Sequence, residues 1–160
     1  MTGGPTGQRL AAWRAYIESS QRLLTLLGDE LRDRCGLSLP DYHVLLLLSE
    51  APQRRLRMGE LANRLVFSPS RLTYQVATME RRDLVRRESC PQDRRGSHAV
   101  LTDHGLASLR AAAPGHLAAV QHHFLDHLDD ADVTQLEKVF TALDTRLSPT
   151  NSATPAGKRT

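Results

Sequence analysis

Arginine is concentrated in the middle of this 160-residue chain. Residues 52–101 hold eleven arginines and five acidic residues, a net charge of +6, whereas the rest of the chain carries −3. A basic middle between acidic ends indicates that the middle faces a polyanion. This segment contains no lysine. The planar guanidinium of arginine can donate two parallel hydrogen bonds to a phosphate or to the edge of a guanine. The pattern predicts a surface that binds nucleic acid.

Residue patterns typical of enzymes are missing from the sequence. It contains no G-x-G-x-x-G, no phosphate-binding G-x-x-x-x-G-K-[ST], no H-E-x-x-H and no paired-cysteine motif. We therefore predict that the protein is not an enzyme and uses no cofactor. The rival to a nucleic-acid-binding protein is a dimeric interaction module that does not bind DNA, but such a module would not need the clustered arginines.

Histidine and cysteine offer a second kind of chemistry. His123 and His127 are four residues apart, a spacing that could place a metal on one helix face, and His116 and His122 lie in the same segment. No cysteine and no His-Glu signature accompanies them, so we predict surface or interface histidines and no metal site. Two thiols, at positions 35 and 90, are too few for a disulfide framework. A metal- or redox-responsive regulator, sensing through Cys35, Cys90 or these histidines, is kept as the alternative.

Helical periodicity and turn signals divide the chain into short elements. Helices are predicted over about residues 8–34, 40–50, 58–65, 69–82 and 102–127, with a kink at Pro114, and a last helix runs from Asp129 or Asp130 to Leu147. Ser68, followed by Pro69 in the first turn, and Thr102 are the predicted N-caps of the helices that follow them. Strands are predicted near Leu56 and over about residues 85–88 and 97–101. Residues 1–7 and 148–160 are predicted to be disordered. No secretory signal or membrane-length apolar run is present, so we expect a cytoplasmic protein without membrane contact.

The middle of the chain has the order of a winged helix-turn-helix: a short helix, a tight turn, a second helix and a basic hairpin. The predicted fold class is mainly α with a small β-hairpin wing, a DNA-binding lobe over about residues 38–101 and dimerisation helices over about residues 8–34 and 102–147. The whole of residues 8–147 is expected to form one domain. The helices of the two end segments carry more apolar surface than one small domain can bury. This excess predicts a homodimer.

A helical projection of residues 69–82 separates two faces. Leu72, Val76 and Met79 form a narrow apolar stripe, and the opposite face carries hydroxyl, phenol and guanidinium groups without a carboxylate. We expect that opposite face to read double-stranded DNA. The predicted DNA-binding residues are those of this helix start and face together with the wing arginines: Ser68, Pro69, Ser70, Arg71, Thr73, Tyr74, Gln75, Thr78, Arg81, Arg86, Arg94 and Arg95.

The stretch from about residue 37 to Gly105 resembles the MarR (multiple antibiotic resistance regulator) family. Its most specific part is DRRG followed by VLTDHG, between Asp93 and Gly105, which is similar to the family's wing signature. The likeness extends over about residues 10–147. Two positions depart from the family pattern: Asp83 stands where glycine is usual, and Tyr74 stands where many members carry arginine or asparagine. An aspartate can adopt the left-handed conformation at modest cost, so we expect the turn at Asp83 to survive.

The resemblance implies a dimeric, DNA-binding transcription regulator, and we expect a ligand-responsive repressor. It further implies that Arg95 enters the minor groove and that Asp93 braces the wing by an ion pair with a nearby arginine. Two-fold symmetry would require a near-palindromic operator with half-sites about 34–36 Å apart. The family's cleft for small-molecule effectors lies between the dimer helices and the DNA-binding lobe. Trp13, Tyr16 and His43 could line it, although aromatic residues in a first helix are more often part of a core.

Overall fold

The computed structural model describes residues 6–90 and 93–147, without the side chains of residue 90 and residues 93–95. Of the segments predicted to be disordered, residues 1–7 and 148–160, all but Thr6 and Gly7 lie outside the described residues, and Gly7 begins the first helix instead. Six α-helices and three strands are found in the described part, together with 3₁₀ turns over Pro52–Arg54 and Leu125–His127. In chain order they are α1 (Gly7–Cys35), α2 (Leu39–Glu50), β1 (Arg55–Arg57), α3 (Met58–Leu65), α4 (Pro69–Glu80), β2 (Val85–Cys90), β3 (Asp93–Leu101), α5 (Asp103–His123) and α6 (Asp130–Leu147).

Helix α2 is the centre of the core. Val44, Leu45 and Leu48 are fully buried, because the helix is apolar on nearly every side and other elements surround it. Its start is fixed by a reciprocal capping box, in which the Asp41 amide donates to the Ser38 hydroxyl and the Ser38 amide donates to the Asp41 carboxylate. Buried residues of α3, α4 and the strands pack around it in a single cluster. This core sets the position of the helix-turn-helix.

Helices α3 and α4 both end in Schellman motifs built on a residue other than glycine. After α3, Val66 has φ 54°, and the Phe67 amide donates to the Ala62 carbonyl at 2.9 Å. After α4, Asp83 has φ 55°, and the Leu84 amide donates to the Met79 carbonyl at 3.0 Å. The expectation that Asp83 adopts the left-handed conformation is confirmed. A β-branched residue is strained in the left-handed conformation. Val66 adopts it although the residue is 89% exposed to solvent.

The wing belongs to a three-stranded antiparallel sheet in the order β1-β3-β2. Leu56 pairs with Ala99, and both are buried, which is why the three-residue strand β1 forms where the sequence predicted it. The hairpin is longer than predicted: its strands continue to Cys90 and begin at Asp93 instead of covering residues 85–88 and 97–101. Polar residues extend it because an exposed hairpin arm needs only its ladder of backbone hydrogen bonds and no buried face.

Helix α5 begins as predicted and ends early. The Thr102 hydroxyl accepts from the Gly105 amide at 2.9 Å, which confirms Thr102 as its cap. The helix runs through Pro114 to His123 and not to His127, which lies in a 3₁₀ turn. An acidic segment follows, and carboxylates are unfavourable at the negative end of a helix and favourable at the next start. Asp129 accordingly caps α6, accepting from the Asp132 amide at 2.8 Å.

Helix α6 contains no buried residue among those described. Its apolar side chains form one exposed face, whose members are Val133, Phe140, Leu143 and Leu147, with Leu136 half-buried beside them. Phe140 meets Tyr16 of α1, with ring centroids 5.5 Å apart. The outer surface of α1 also exposes Leu10, Trp13 and Leu24. An unburied apolar surface of this extent, on the first and last helices, indicates a place for another macromolecule.

None of the helices in the described part is long and apolar enough to cross a membrane.

Candidate nucleic-acid interface

Helix α4 presents a polar face to solvent, opposite its buried Leu72, Val76 and Met79. The Ser68 hydroxyl caps the helix by accepting from the Arg71 amide at 3.3 Å, and Pro69 occupies the first turn, as predicted. Tyr74 is 72% exposed and projects from the middle of this face. The remaining exposed residues from the predicted set are Ser68, Pro69, Ser70, Arg71, Thr73 and Arg81, and Thr78 is half-buried. The structure therefore brings most of the predicted set onto one surface.

Two guanidinium groups on this surface have no carboxylate partner among the described residues. Arg71 lies over the ring of Phe67, 3.9 Å from its centroid, in a cation–π contact that holds the charge at the start of the helix. Arg81 donates to the Thr78 hydroxyl at 3.0 Å, and that hydroxyl donates to the Tyr74 carbonyl at 3.1 Å. Most exposed arginines elsewhere in the described part are paired with acids. Unneutralised guanidiniums at the edge of an acid-free face suit phosphate or base-edge contacts.

Gln75 does not join this face. Its amide donates to the Asp41 carboxylate at 2.5 Å, on the inner side of α4 and toward α2. A helical projection of one segment places Gln75 next to Val76 but contains no information about the carboxylate on another helix. The prediction of Gln75 as a direct DNA contact is therefore not supported by its position.

The two neighbouring arginines at the start of β2 point to opposite faces of the sheet, because successive strand residues alternate. Arg87 faces α4: its side chain pairs with Glu80 at 3.0 Å and donates to the Thr73 carbonyl at 3.3 Å. Arg86 faces the other way and pairs with Glu88 at 2.7 Å. Arg86 is therefore separated from the outward surface of α4. Arg87, which the sequence analysis did not select, ties the wing to that helix.

The wing tip is described only in its backbone. Asp93 begins β3, and Arg94 and Arg95 follow it in the strand, with an irregular register between Ser89 and Cys90 on the opposing strand. The side chains of Asp93, Arg94 and Arg95 lie outside the described residues. The predicted minor-groove contact and the predicted ion pair of Asp93 stay predictions.

The three residues predicted for an effector cleft are distributed over two ring clusters. Trp13 and Tyr16 lie on α1, with their ring centroids 6.1 Å apart. His43 lies on α2 beside Tyr42, whose ring is 4.4 Å from that of His116 on α5. Burial lowers the pKa of His43, although part of its side chain still reaches solvent. Burial, and secondarily the charge of His43, lowers the pKa of His116, so both imidazoles favour the neutral form.

One histidine of the group predicted on a single helix makes a contact between helices. His123 bonds to the Glu30 carboxylate of α1 at 2.7 Å, and this hydrogen bond is the main cause of a lowered pKa for Glu30. Because α5 ends at His123, His127 does not continue the same helical face. No cluster of three potential metal ligands occurs within residues whose side chains are described. Cys35 is exposed as a free thiol, and the side chain of Cys90 lies outside the described part.

Comparison with known proteins agrees with this architecture. The sequence profile of the MarR family matches residues 36–96. The structure resembles that of AbsC, a MarR family transcriptional regulator from Streptomyces coelicolor, with 42% identity, coverage of 91% of this chain and 98% of that chain, and a TM-score of 0.85. It also resembles Sco3205, a MarR family transcriptional regulator from the same organism solved in complex with DNA, with 37% identity, 95% and 96% coverage, and a TM-score of 0.89.

A curated relative gives the same result over a shorter alignment. The HTH-type transcriptional repressor YetL of Bacillus subtilis is 32% identical over 111 residues, which cover 68% of this chain and 66% of YetL. All three of these relatives are regulators of transcription, in agreement with the prediction that the chain is not an enzyme. The winged helix-turn-helix, its profile match and the near-complete overlap with two family structures place this chain in the MarR family of transcriptional regulators.

Proposed function

We propose that the protein is a sequence-specific repressor that binds double-stranded DNA as a homodimer. Helix α4 would lie in the major groove and the wing in the adjacent minor groove of each half-site. The observation that supports this most directly is the acid-free outward surface of α4, on which Arg71 and Arg81 have no carboxylate partner among the described residues. Among the relatives, YetL is a repressor, which supports repression, and Sco3205 was crystallised with DNA, which supports DNA binding. We place this activity in the cytoplasm, where a bacterial operator would be found.

The homodimer is supported by the unburied apolar surface of α1 and α6. A second copy of that surface, related by a two-fold axis, would bury the face of α6 and leave the two α4 helices free to reach successive major grooves. Such an assembly requires a near-palindromic operator.

The wing would supply the second contact with each half-site. We propose that Arg95 enters a narrow minor groove, where the negative potential is deepest, and that Arg94 contacts the flanking backbone. Asp93 would brace the wing by pairing with an arginine. The support is the backbone of the hairpin, which extends β2 and β3 well beyond the sheet core and so carries these residues away from the body of the domain.

An effector would act on the junction between the two lobes. We propose a small molecule that binds near His43, Tyr42 and His116, because these rings lie where α2 of the DNA-binding lobe meets α5. Trp13 and Tyr16 belong to a separate aromatic cluster with Phe140 and would contribute only if the cleft extends along α1.

The Arg71→Ala variant tests the proposed reading surface. A duplex selected from random DNA by the wild-type protein serves as the operator. We expect the variant to lose about 1–3 kcal/mol of binding free energy on this duplex and to relax base preference at particular positions, as is typical of a lost guanidinium–base contact. Selection of duplexes by the variant, compared with the wild-type selection, measures the change.

The matched control is Arg110→Ala, which removes the same charge from an exposed site on α5. It should leave the selected sequence unchanged. Equal weakening by Arg71→Ala on all sequences would make Arg71 a phosphate contact, and unchanged binding would remove α4's outward surface from the interface.

A further inference from the structure

Asp41 is the one buried polar or charged residue among those whose burial is described, with 3% of its surface exposed. A carboxylate inside a protein is tolerated when hydrogen bonds and a positive charge satisfy its oxygens. Asp41 belongs to the first turn of α2, where the capping box with Ser38 uses part of one oxygen. The other partners come from a different element, so its role extends beyond the start of its own helix.

Two of these partners belong to the α4 segment. The Gln75 amide donates to Asp41 Oδ1 at 2.5 Å, and Arg82 Nη1 donates to Asp41 Oδ2 at 2.9 Å. Gln75 and Arg82 are seven residues apart, about 10 Å along a helix axis. The carboxylate therefore holds the inner side of α4 near its middle and just past its end.

Arg82 also reaches the preceding helix. Its second terminal nitrogen donates to the Gly36 carbonyl, at the end of α1, at 2.6 Å. One guanidinium thus joins the α4 segment to the corner between α1 and α2, while its ion pair with Asp41 compensates the buried charge. Because a guanidinium is planar, these two bonds define an orientation as well as a distance.

The orientation of α4 matters because Gln75 directly follows Tyr74, which lies on the outward surface. A side-chain tip about 5–6 Å from a helix axis moves by about 2 Å when the helix rotates by 20°. A hydrogen bond tolerates only a few tenths of an ångström of such displacement before it weakens. Contacts that prevent rotation of α4 therefore determine whether Arg71 and Tyr74 reach base edges.

We propose that Asp41 is a positioning residue for DNA reading: through Gln75 and Arg82 it fixes the rotation and height of α4 against the α1–α2 corner. The inference rests on the proposed function. It assigns Gln75 to the support of α4 and not to contact with DNA.

The test uses the full chain, the selected duplex and a shuffled duplex of the same length and composition. Asp41→Asn keeps the shape of the side chain but removes its negative charge. Arg82→Lys keeps the positive charge but removes the planar guanidinium that bonds to both Asp41 and the Gly36 carbonyl. Each should lower affinity for the selected duplex by about tenfold or more, within the range of a lost bidentate contact. Affinity for the shuffled duplex should stay within about twofold, because it depends on the phosphate charge. A pure charge effect of Asp41→Asn would instead strengthen binding to both duplexes.

Additivity separates support from direct contact. The losses of Asp41→Asn and Arg82→Lys should be less than additive in the double variant, and so should those of Asp41→Asn and Gln75→Leu. Fully additive losses would overturn the inference by showing that the residues act independently. Fluorescence anisotropy measures the affinities at a temperature where circular dichroism shows every variant folded. If Asp41→Asn does not fold, Arg82→Lys and Gln75→Leu are measured singly, and each should lose affinity for the selected duplex while keeping its affinity for the shuffled one; unchanged affinity of both for the selected duplex would overturn the inference.

Ser38→Ala is the structural control, because it removes the capping hydroxyl and leaves the bonds between Asp41 and the α4 segment. It should lower the urea midpoint while keeping selected-duplex affinity within about twofold, since a lost cap costs stability alone. If it weakens selective binding as much as Asp41→Asn, the effect is general destabilisation and the inference is overturned. A wild-type protein with no duplex preference would refute the proposed function and this inference together. A wild-type preference that Arg71→Ala lowers and the Asp41 and Arg82 variants preserve would refute the inference alone.

Discussion

Gly105→Ala is expected to lower the free energy of unfolding by about 3 kcal/mol or more. Gly105 lies in the first turn of α5, where a β-carbon would fall far inside contact distance of the Leu84 carbonyl oxygen and 2.9 Å from a methyl carbon of Leu101. The clash with Leu84 is with backbone, so no rotamer change can relieve it. Overpacking a well-packed site costs about 1–3 kcal/mol and more where backbone must move. Urea unfolding followed by circular dichroism measures the loss.

Gly59→Ala is the matched control for this substitution. Gly59 is an exposed residue of α3, and nothing lies within 4 Å of an added β-carbon. Alanine should stabilise this helix by about 0.5–1 kcal/mol relative to glycine. If Gly105→Ala is as stable as wild type, α5 does not pack against the Leu84 backbone as closely as the structure shows.

Leu143→Asp is expected to convert the proposed dimer to monomers and to reduce operator affinity by about 100-fold or more. Leu143 is on the exposed apolar face of α6, and a carboxylate there would be buried without a partner at the two-fold interface. A monomer reads a single half-site. It therefore loses the increase in affinity, about 10²–10⁴-fold, that linking two binding sites provides. Analytical ultracentrifugation measures the oligomeric state, and fluorescence anisotropy on the selected duplex measures the affinity.

Thr145→Asp introduces the same charge two residues away, on the opposite side of α6 by helical periodicity. It should remain dimeric and bind the selected duplex nearly as wild type does. A Leu143→Asp protein that is still dimeric at the wild-type concentration would show that the α6 face is not the interface.

Local signals predicted the fold well. The bounds of α3, the caps Ser68 and Thr102 and the left-handed turn at Asp83 follow from residue types near each element, and all are confirmed. The early end of α5 was missed, because apolar periodicity continues past His123 while the acidic segment after it favours a new start. The hairpin was predicted too short because its outer residues pair only through backbone hydrogen bonds. The pattern of hydrophobic residues gives no sign of such pairing.

The candidate site depended on contacts that are distant in the chain. Gln75 is 34 residues from Asp41, and neither position alone indicates a buried hydrogen bond. The separation of Arg86 and Arg87 was within reach of the sequence, since strand alternation allows only one of them to face α4. The pairing of Glu80 with Arg87 explains how the outward surface of α4 stays free of carboxylate. A helical projection shows which residues share a face of α4. Hydrogen bonds and ion pairs with neighbouring elements decide which of those side chains remain available to contact DNA.

The dependence of operator affinity on salt, measured for the wild-type protein by fluorescence anisotropy, tests the central claim most directly. If the arginines of residues 52–101 meet DNA phosphates, the logarithm of the association constant should fall by about 0.9 for each phosphate contacted when the logarithm of salt concentration rises by one. We predict a steep slope on both duplexes, with the selected duplex bound more tightly than the shuffled one at every salt concentration. A flat slope, or equal affinity for the two duplexes, would contradict sequence-specific DNA binding through this surface.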